Sequence, residues 1–161
     1  MAKWLGDVIF GPVLKHEVAA VAQLEAEAFP PPVYPVFFFR QAFDLWPELF
    51  WVARHDSGIL AYLIAAPELS QPARLSLMSF AVAPQCQGQG IGKALLQAFL
   101  PALPALAPQA RQIWLTADPA NSAALRLYQQ HGFSVSGEEA DYYGAGYNRL
   151  VLTAEVAAKS R

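Results

Sequence analysis

Three glycines at alternate positions, Gly88, Gly90 and Gly92, are the residues of this sequence that point most directly to chemistry. They follow a mostly apolar run, residues 75–82, and precede an apolar series from Ile91 that has helical spacing. This order predicts a strand, a tight turn and a helix N-terminus. A helix N-terminus has unpaired backbone N–H groups and a partial positive charge, and glycine has no Cβ to obstruct a ligand. The segment is therefore a candidate anion site, most naturally for phosphate.

Two common phosphate-binding loops do not fit this segment. A Walker loop requires glycine at position 87 and serine or threonine at position 94, but the chain has Gln87 and Ala94. A dinucleotide fingerprint requires a third glycine at position 93, which is Lys93. What remains is the pattern Gln87-x-x-Gly90-x-Gly92, directly after a strand that ends in Val-Ala-Pro.

A second pair of polar residues, Asn121 and Tyr128, belongs to a predicted helix over residues 122–131. Asn121 is the predicted N-cap, and Gly132 is placed as the C-terminal stop. The pair is seven residues apart, about two helical turns, so both side chains project from nearly the same face. One polar face can therefore contact one extended ligand.

Both segments resemble signatures of the GCN5-related N-acetyltransferase family. The glycine-rich segment matches the family's Arg/Gln-x-x-Gly-x-Gly/Ala element. The helix resembles the run Asn-x-x-Ala-x-x-Leu-Tyr-x-x-x-Gly-Phe, with matches at Asn121, Ala124, Leu127, Tyr128, Gly132 and Phe133. The resemblance covers nearly the whole chain and implies one N-acetyltransferase domain over residues 1–161. It also implies an α/β fold, with a mostly antiparallel sheet of six or seven strands flanked by about four helices and splayed at the acetyl-coenzyme A site.

The resemblance assigns roles to individual residues. It implies acetyl-coenzyme A as cosubstrate, with the pyrophosphate at the glycine-rich segment, and no metal ion. The residues expected to bind the coenzyme are Phe80, Ala81, Val82, Gln87, Gly88, Gln89, Gly90, Ile91, Gly92, Lys93, Asn121 and Tyr128. Tyr128 is also expected to be catalytic, hydrogen-bonded to the coenzyme sulfur. Amine attack on a thioester expels a thiolate, whose thiol has a pKa of about 8.5. A phenol, with a pKa of about 10, carries its proton at neutral pH, so Tyr128 can reprotonate the sulfur as it leaves.

The sequence does not identify the base that deprotonates the acceptor amine. Ribosomal-protein N-terminal alanine acetyltransferases, which the chain resembles through Glu25-x-x-x-Phe29-Pro30 and Tyr142-Tyr143, carry a glutamate base in the strand before the second signature. The chain has Thr116 at that place.

A second group, the arylalkylamine acetyltransferases, resembles the chain at Pro47-Glu48-Leu49 and carries two histidines in the strand before the phosphate loop. Ser76 and Met78 stand at those positions. Neither base is present, so Glu27, Asp118 and a chain of water molecules remain open as substitutes.

The acceptor is predicted from the segment between the first two helices, which borders the acceptor site in the family. Residues 29–51 are rich in aromatic rings: Phe29, Tyr34, Phe37, Phe38, Phe39, Phe43, Trp46, Phe50 and Trp51. Consecutive phenylalanines at positions 37–39 point in three directions around a helix, so one packing face cannot bury them all. Of these rings, Phe29, Tyr34 and Phe38 are expected to bind the acceptor.

The charges in the same segment further restrict the kinds of amine that can be the acceptor. Between Ala28 and Phe43 there is no carboxylate to hold the extra positive charge of a polyamine or an aminoglycoside. We therefore expect an acceptor with one amine on an apolar or aromatic body, either an arylalkylamine or a peptide N-terminus with a hydrophobic side chain. Two alternatives stay open: the rings fill the core or a homodimer interface, and the chain is a non-catalytic acyl-coenzyme A-binding module.

The amino-acid composition argues against several other classes of protein. The net charge of −2 provides no basic stripe for nucleic acid. Cys86 is the single cysteine, so no intramolecular disulfide is possible, and with no neighbouring histidine to activate it a catalytic role is not expected. With no signal segment and no run of about 18 apolar residues, we expect a cytoplasmic protein without a membrane partner.

The elements expected to position these residues alternate along the chain. We predict a strand over residues 7–14, interrupted at Gly11-Pro12, an amphipathic helix over 15–28 and a second helix over 36–46. The remaining predicted elements are a hairpin over 49–66, a strand over 73–82, a helix from 91, a strand over 111–117, the helix over 122–131, and closing strands over 133–137 and 147–154.

Overall fold

A computed structural model describes residues 6–157, and its elements follow the predicted order. The strands are Ile9–Pro12 (β1), Phe50–His55 (β2), Gly58–Pro67 (β3), Arg74–Val82 (β4), Gln112–Ala117 (β5), Ser134–Glu139 (β6) and Arg149–Glu155 (β7). The helices are Val18–Ala28 (α1), Val36–Leu45 (α2), Ile91–Phe99 (α3), the short Leu103–Leu106 (α4) and Ser122–Gln130 (α5). None of the helices within residues 6–157 is long and apolar enough to cross a membrane.

The seven strands form one open sheet in the order β1-β2-β3-β4-β5-β7-β6. The pairs β1/β2, β2/β3, β5/β7 and β6/β7 are antiparallel, and β4/β5 is parallel. In residues 6–157, the β4/β5 pairing covers only Arg74–Ser76 of β4. The prediction of a mostly antiparallel sheet of six or seven strands is therefore confirmed.

The chain divides into two compact units. The first comprises the residues up to Ala65 together with Ser79–Ala102, so it contains α1–α3 and the glycine-rich segment. Its core includes Val21, Leu24, Phe39, Phe50, Tyr62, Leu63, Ile64, Leu95, Leu96 and Phe99.

The second unit comprises Ala66–Met78 and the residues from Leu103 onward. Its core includes Leu75, Leu103, Ile113, Leu115, Tyr128, Phe133 and Leu152. Strand β6 is exposed along its length and lies at the edge of the sheet. This unit contains α5 and therefore the second predicted signature.

Strand β1 differs from its prediction. It continues through Gly11 and Pro12, which pair with Val52 and Trp51. Proline lacks an N–H donor and is confined to edge strands, strand ends and bulges. Because β1 is an edge strand and Pro12 is its last residue, no interruption results.

The start of the first helix also differs from its prediction. Lys15–Glu17 form a separate 3-10 turn before α1, and Glu17 is buried although the sequence pattern placed it among the polar residues. Arg54 donates two 2.8 Å hydrogen bonds to the two Glu17 carboxylate oxygens, and the N–H of Leu14 donates a third, also 2.8 Å. Burial by itself raises the pKa of Glu17, but these hydrogen bonds and the Arg54 charge outweigh it and hold the pKa below its usual value.

Candidate active site

The glycine-rich segment has the backbone shape that its sequence predicts. Strand β4 ends at Val82, a 3-10 turn follows, and Gly88 and Gly90 have φ angles of 75° and 83°. This left-handed conformation costs other L-residues energy, whereas glycine adopts it readily. Gly90 is the N-cap of α3, and its carbonyl accepts a 3.0 Å bond from the N–H of Ala94. The N–H groups of the three residues between them, including Ile91, therefore have no acceptor within the helix.

Side-chain amides hold the shape of this segment. Gln87 donates from Nε2 to the carbonyl of Val82 over 3.2 Å, and Gln89 donates from Nε2 to the carbonyl of Gln85 over 3.1 Å. These two hydrogen bonds restrict the conformations open to the loop, and a restricted loop has less conformational entropy to lose when it binds an anion.

Cys86, in the same loop, is buried, and burial raises the pKa of its thiol. A raised pKa disfavours the nucleophilic thiolate. This agrees with the expectation that Cys86 has no catalytic role.

Gly92 has a packing reason to be glycine. A Cβ added there would lie 3.0 Å from Cζ of Phe80 and 3.0 Å from Cγ2 of Val82. The first turn of α3 therefore lies directly against the end of β4. This close approach places the predicted coenzyme residues of β4 beside the start of α3, whose first N–H groups have no acceptor within the helix. That geometry fits a diphosphate, so the residues present suit the pyrophosphate of acetyl-coenzyme A.

Asn121 is the N-cap of α5, as predicted. Its Oδ1 accepts a 3.1 Å hydrogen bond from the N–H of Ala124. This satisfies one N–H at the start of the helix. The additional role expected for Asn121, contact with the coenzyme, stays a prediction.

Tyr128 lies on α5 and is 8% exposed. Its ring packs edge-on against Phe133, with 5.8 Å between the ring centroids. Burial raises the pKa of Tyr128 to about 12, although the positive charge of Arg149 acts in the opposite direction. Tyr128 is therefore protonated at neutral pH, as a proton donor to a leaving thiolate must be.

Thr116, at the place of the expected glutamate base, is bound to an arginine instead. Arg149 donates from Nε to Oγ1 of Thr116 over 3.2 Å and from its NH2 group to the carbonyl of Thr116 over 2.9 Å. The guanidinium also lies 5.2 Å from the centroid of the Tyr143 ring. Thr116 has no carboxylate, and its hydroxyl and carbonyl oxygens accept hydrogen bonds from the Arg149 cation, so this position supplies no base.

The proposed substitutes for the base lie on the surface. Glu27 is exposed and accepts a 2.9 Å hydrogen bond from Gln23. Asp118 is exposed and accepts a 2.9 Å hydrogen bond from the N–H of Ala120, two residues further on.

The aromatic segment is divided between core and surface. Of the three consecutive phenylalanines, Phe37 is 67% exposed, Phe38 is half-buried and Phe39 is fully buried. Tyr34 stacks on Phe38 with 4.2 Å between ring centroids and 15° between ring planes. Two of the predicted acceptor residues therefore share one stacked pair. Phe29 is the C-cap of α1 and is 39% exposed.

Glu25 is a further buried carboxyl group of the first unit, and its burial was not predicted. It is 4% exposed, and the hydroxyl of Tyr62 on β3 donates to its Oε2. Tyr62 also lies 2.5 Å, oxygen to oxygen, from Ser79 on β4. The signal was available in part: Glu25 follows Val21 by four positions, which places it on the apolar face of α1.

Comparison with known proteins identifies the family. The sequence model of the acetyltransferase (GNAT) family matches residues 18–133. An N-alpha-acetyltransferase from Sulfurisphaera tokodaii is 30% identical over 133 residues, which cover 77% of this chain and 79% of the relative. The chain belongs to the GNAT family.

Two solved structures show the same fold. The ribosomal-protein-S18-alanine N-acetyltransferase from Escherichia coli has a TM-score of 0.79 at 19% identity, over 96% of this chain and 97% of that one. Arabidopsis thaliana Naa50, in complex with the bisubstrate analogue CoA-Ac-MVNAL, has a TM-score of 0.76 at 20% identity, over 96% and 99%. With the family match, these findings make the protein an acetyltransferase that uses acetyl-coenzyme A as cosubstrate. The alternative of a non-catalytic binding module is set aside.

Proposed function

We propose that the protein transfers an acetyl group from acetyl-coenzyme A to the α-amino group of a peptide whose first side chain is apolar. The observation that carries this proposal is the stacked pair of Tyr34 and Phe38 in a segment without carboxylates. The relative at 30% identity is an N-alpha-acetyltransferase, which supports an α-amine as acceptor.

The acceptor preference follows from what this segment can bind. Half-buried aromatic rings bury apolar surface at a gain of about 25 cal/mol per Å², so an apolar side chain binds well against them. A second ammonium group would need a carboxylate partner when it loses water, and residues 29–42 contain none. Polyamines and lysine-rich peptides are therefore poor acceptors.

The reaction is a direct attack of the amine on the acetyl thioester in a ternary complex. The segment from Gln87 to Lys93 holds the pyrophosphate through backbone N–H groups at the start of α3. Asn121 contributes a polar contact to the coenzyme. Tyr128 donates its hydroxyl proton to the sulfur as the carbon–sulfur bond breaks, which avoids the release of a free thiolate.

A small arylalkylamine is the second candidate acceptor. The same stacked pair of rings favours it, because an aromatic body can pack against Tyr34 and Phe38 by offset or edge contacts. The two candidates differ in the backbone of the acceptor, since a peptide has amide groups beyond the first residue and an arylalkylamine does not.

A release assay for the free coenzyme thiol tests the acceptor class. The panel contains the pentapeptide MVNAL, the same peptide with a blocked N-terminus, a version beginning with aspartate, tryptamine and spermidine. We expect MVNAL to give the highest kcat/KM and the blocked peptide to give no reaction. Preferential acetylation of spermidine would contradict the proposal, and preferential acetylation of tryptamine would favour the second candidate.

A matched pair of variants tests the role of the aromatic segment. Phe38→Ala removes one ring of the stacked pair, and Phe37→Ala removes the neighbouring ring, which is 67% exposed. We expect Phe38→Ala to raise the KM for MVNAL by roughly tenfold, about 1.4 kcal/mol of lost apolar contact, and Phe37→Ala to leave it unchanged. Equal effects of the two variants would rule out this position for the acceptor.

A further inference from the structure

Three residues from separate elements of the first unit form a continuous chain of hydrogen bonds. Glu25 belongs to α1, Tyr62 to β3 and Ser79 to β4. Glu25 and Tyr62 are buried, whereas Ser79 is half-buried. The chain therefore leads from a carboxyl group in the interior to the hydroxyl group of a half-buried residue.

The direction of these hydrogen bonds follows from the chemistry of the groups. Tyr62 has one hydroxyl proton, and it donates that proton to Oε2 of Glu25. The hydroxyl of Ser79 must then be the donor in its 2.5 Å contact with the Tyr62 oxygen. Both hydrogen bonds consequently point from Ser79 towards Glu25, which is the alignment needed to move a proton inwards.

Glu25 has the environment of a base. Within residues 6–157 it forms no ion pair. Burial raises the pKa of Glu25, and hydrogen bonds from Tyr62 and from the backbone N–H of Tyr34 offset this only in part. The titratable groups that face this network are Tyr62, from β3, and Tyr34, from the segment before α2. Burial and the nearby Glu25 charge raise the pKa of Tyr62 strongly, so Tyr62 stays neutral.

The hydrogen bonds of Glu25, Tyr62 and Ser79 also reach two regions on which the proposed function depends, the predicted coenzyme residues of β4 and the predicted acceptor residues before α2. Ser79 immediately precedes Phe80 on β4, where the predicted coenzyme residues begin. Tyr34, whose N–H binds Glu25, is one of the two stacked rings predicted to meet the acceptor. A carboxyl group connected to both regions is well placed to serve the reaction, whereas Thr116, at the place of the glutamate base in the resembled enzymes, has no carboxyl group.

We propose that Ser79, Tyr62 and Glu25 form a proton relay that takes the proton from the acceptor amine, with Glu25 as the final acceptor. The proposal rests on the proposed function. Ser79 is the residue that contacts the amine, and Tyr62 and Glu25 act through it.

The proton balance of the relay is simple. The ammonium group gives one proton to Oγ of Ser79, the Ser79 proton passes to the oxygen of Tyr62, and the Tyr62 proton passes to Oε2 of Glu25. The freed lone pair of the amine forms the carbon–nitrogen bond as the carbon–sulfur bond breaks, and the sulfur takes its proton from Tyr128. The nitrogen of the new amide then loses its second proton, which passes through solvent to the Tyr128 oxygen and restores the Tyr128 hydroxyl. Ser79 and Tyr62 end neutral, Glu25 ends protonated, and Glu25 returns the proton to water along the same path after the product leaves.

The test compares kcat/KM between pH 6 and pH 10 for the wild type and for Glu25→Gln, Tyr62→Phe and Ser79→Ala, with MVNAL or tryptamine as acceptor. Each variant is first checked for its melting temperature and for binding of acetyl-coenzyme A. We expect Glu25→Gln and Tyr62→Phe to reduce kcat/KM at pH 7 by about 100-fold or more, the usual effect of losing general-base catalysis. At pH 10 the deficit should shrink to less than about tenfold, because much of the amine is already deprotonated in solution.

This rescue at high pH separates a relay from a structural role, since a misplaced loop or strand would lower activity at every pH. Glu155→Gln, an exposed carboxyl group at the end of β7, is the matched control and should keep the wild-type profile. If a buried variant fails to fold, Ser79→Ala decides the question alone. It loses one hydrogen bond at a half-buried site, and because the relay begins at Ser79 its expected loss at pH 7 is also about 100-fold.

Two outcomes overturn the relay while leaving the proposed function intact. In the first, the wild type is active and Ser79→Ala or Glu25→Gln has the same pH profile as the wild type. In the second, Glu27→Gln, and not Glu25→Gln, loses the activity at low pH. If the wild type itself releases no thiol with any amine, the proposed function fails, and the relay fails with it.

Discussion

Arg149 donates hydrogen bonds to both the hydroxyl and the carbonyl oxygen of Thr116, which fixes its guanidinium beside the end of β5. From this position its positive charge lowers the pKa of Tyr128, against the larger effect of burial. Thr116, at the place where the resembled acetyltransferases carry a glutamate base, thus positions a cation that influences the predicted proton donor.

We expect Arg149→Met to weaken catalysis without abolishing it. Loss of the cation raises the pKa of Tyr128 further and makes it a poorer acid. The expected reduction in kcat is about threefold to tenfold, the effect of roughly 0.7–1.4 kcal/mol from one partly screened charge. Steady-state kinetics measure it, with Arg40→Met on the exposed side of α2 as control. An unchanged kcat would show that Arg149 has no electrostatic role in the reaction.

Binding of acetyl-coenzyme A should depend on Gly90. At a ligand concentration about 100 times Kd, binding stabilises the wild type by about 2.7 kcal/mol, a rise in Tm of several degrees. Valine at position 90 cannot readily adopt the φ of 83°, and it places a Cβ beside the N–H groups of α3. Gly90→Val should therefore lose most of the ligand-induced rise in Tm.

Gly58→Val is the matched control for Gly90→Val. Gly58 also has a left-handed backbone, with φ of 126°, but it lies in the β2–β3 hairpin. This variant should be less stable than the wild type yet keep the ligand-induced rise in Tm. If Gly90→Val folds and keeps the full rise, the glycine-rich segment does not hold the pyrophosphate.

The Glu17–Arg54 pair predicts a specific dependence of stability on pH. The pKa of Glu17 is lower in the folded chain than in the unfolded chain, so its contribution is present above about pH 4.5 and is lost as the pH falls through the folded pKa. Glu17→Gln should reduce the free energy of unfolding by about 1.5–3 kcal/mol at pH 7, the usual contribution of hydrogen bonds to a charged group.

Urea unfolding of both proteins between pH 3 and pH 7 measures this contribution. The difference between the wild type and Glu17→Gln should be full at pH 6–7 and should shrink towards pH 3. A difference that is constant over this range would show that the charge of Glu17 is not involved.

Local signals in the sequence were sufficient to predict much of the fold. The proline after α2, the N-cap Asn121 and the glycine after α5 mark element ends through backbone constraints that act within a few residues. The glycine-rich segment was readable for the same reason, because the left-handed backbone of Gly90 and the start of α3 are local features. The element order followed from these signals and from apolar periodicity.

Long-range contacts were not readable in this way. Glu25 and Tyr62 are 37 positions apart, and Ser79 lies a further 17 positions along the chain. Only the folded sheet brings their side chains together, and in the sequence Glu25 looks like one more polar residue of an amphipathic helix. The burial of Glu17 was missed for the same reason, since its partner Arg54 comes from another element. Which of the consecutive phenylalanines would be buried also depended on packing against Tyr62.

The most direct test of the account is the rate of acetyl transfer by Tyr128→Phe, measured together with its affinity for acetyl-coenzyme A. Phenylalanine keeps the packing against Phe133 and removes only the proton donor. For Tyr128→Phe we predict unchanged affinity for acetyl-coenzyme A and a kcat lower by roughly tenfold to a thousandfold. In the wild type, ionisation of Tyr128 should cause no loss of activity below about pH 11, because the pKa of Tyr128 is about 12. A Tyr128→Phe protein with the wild-type kcat would contradict the assignment of Tyr128 as the donor to the leaving sulfur.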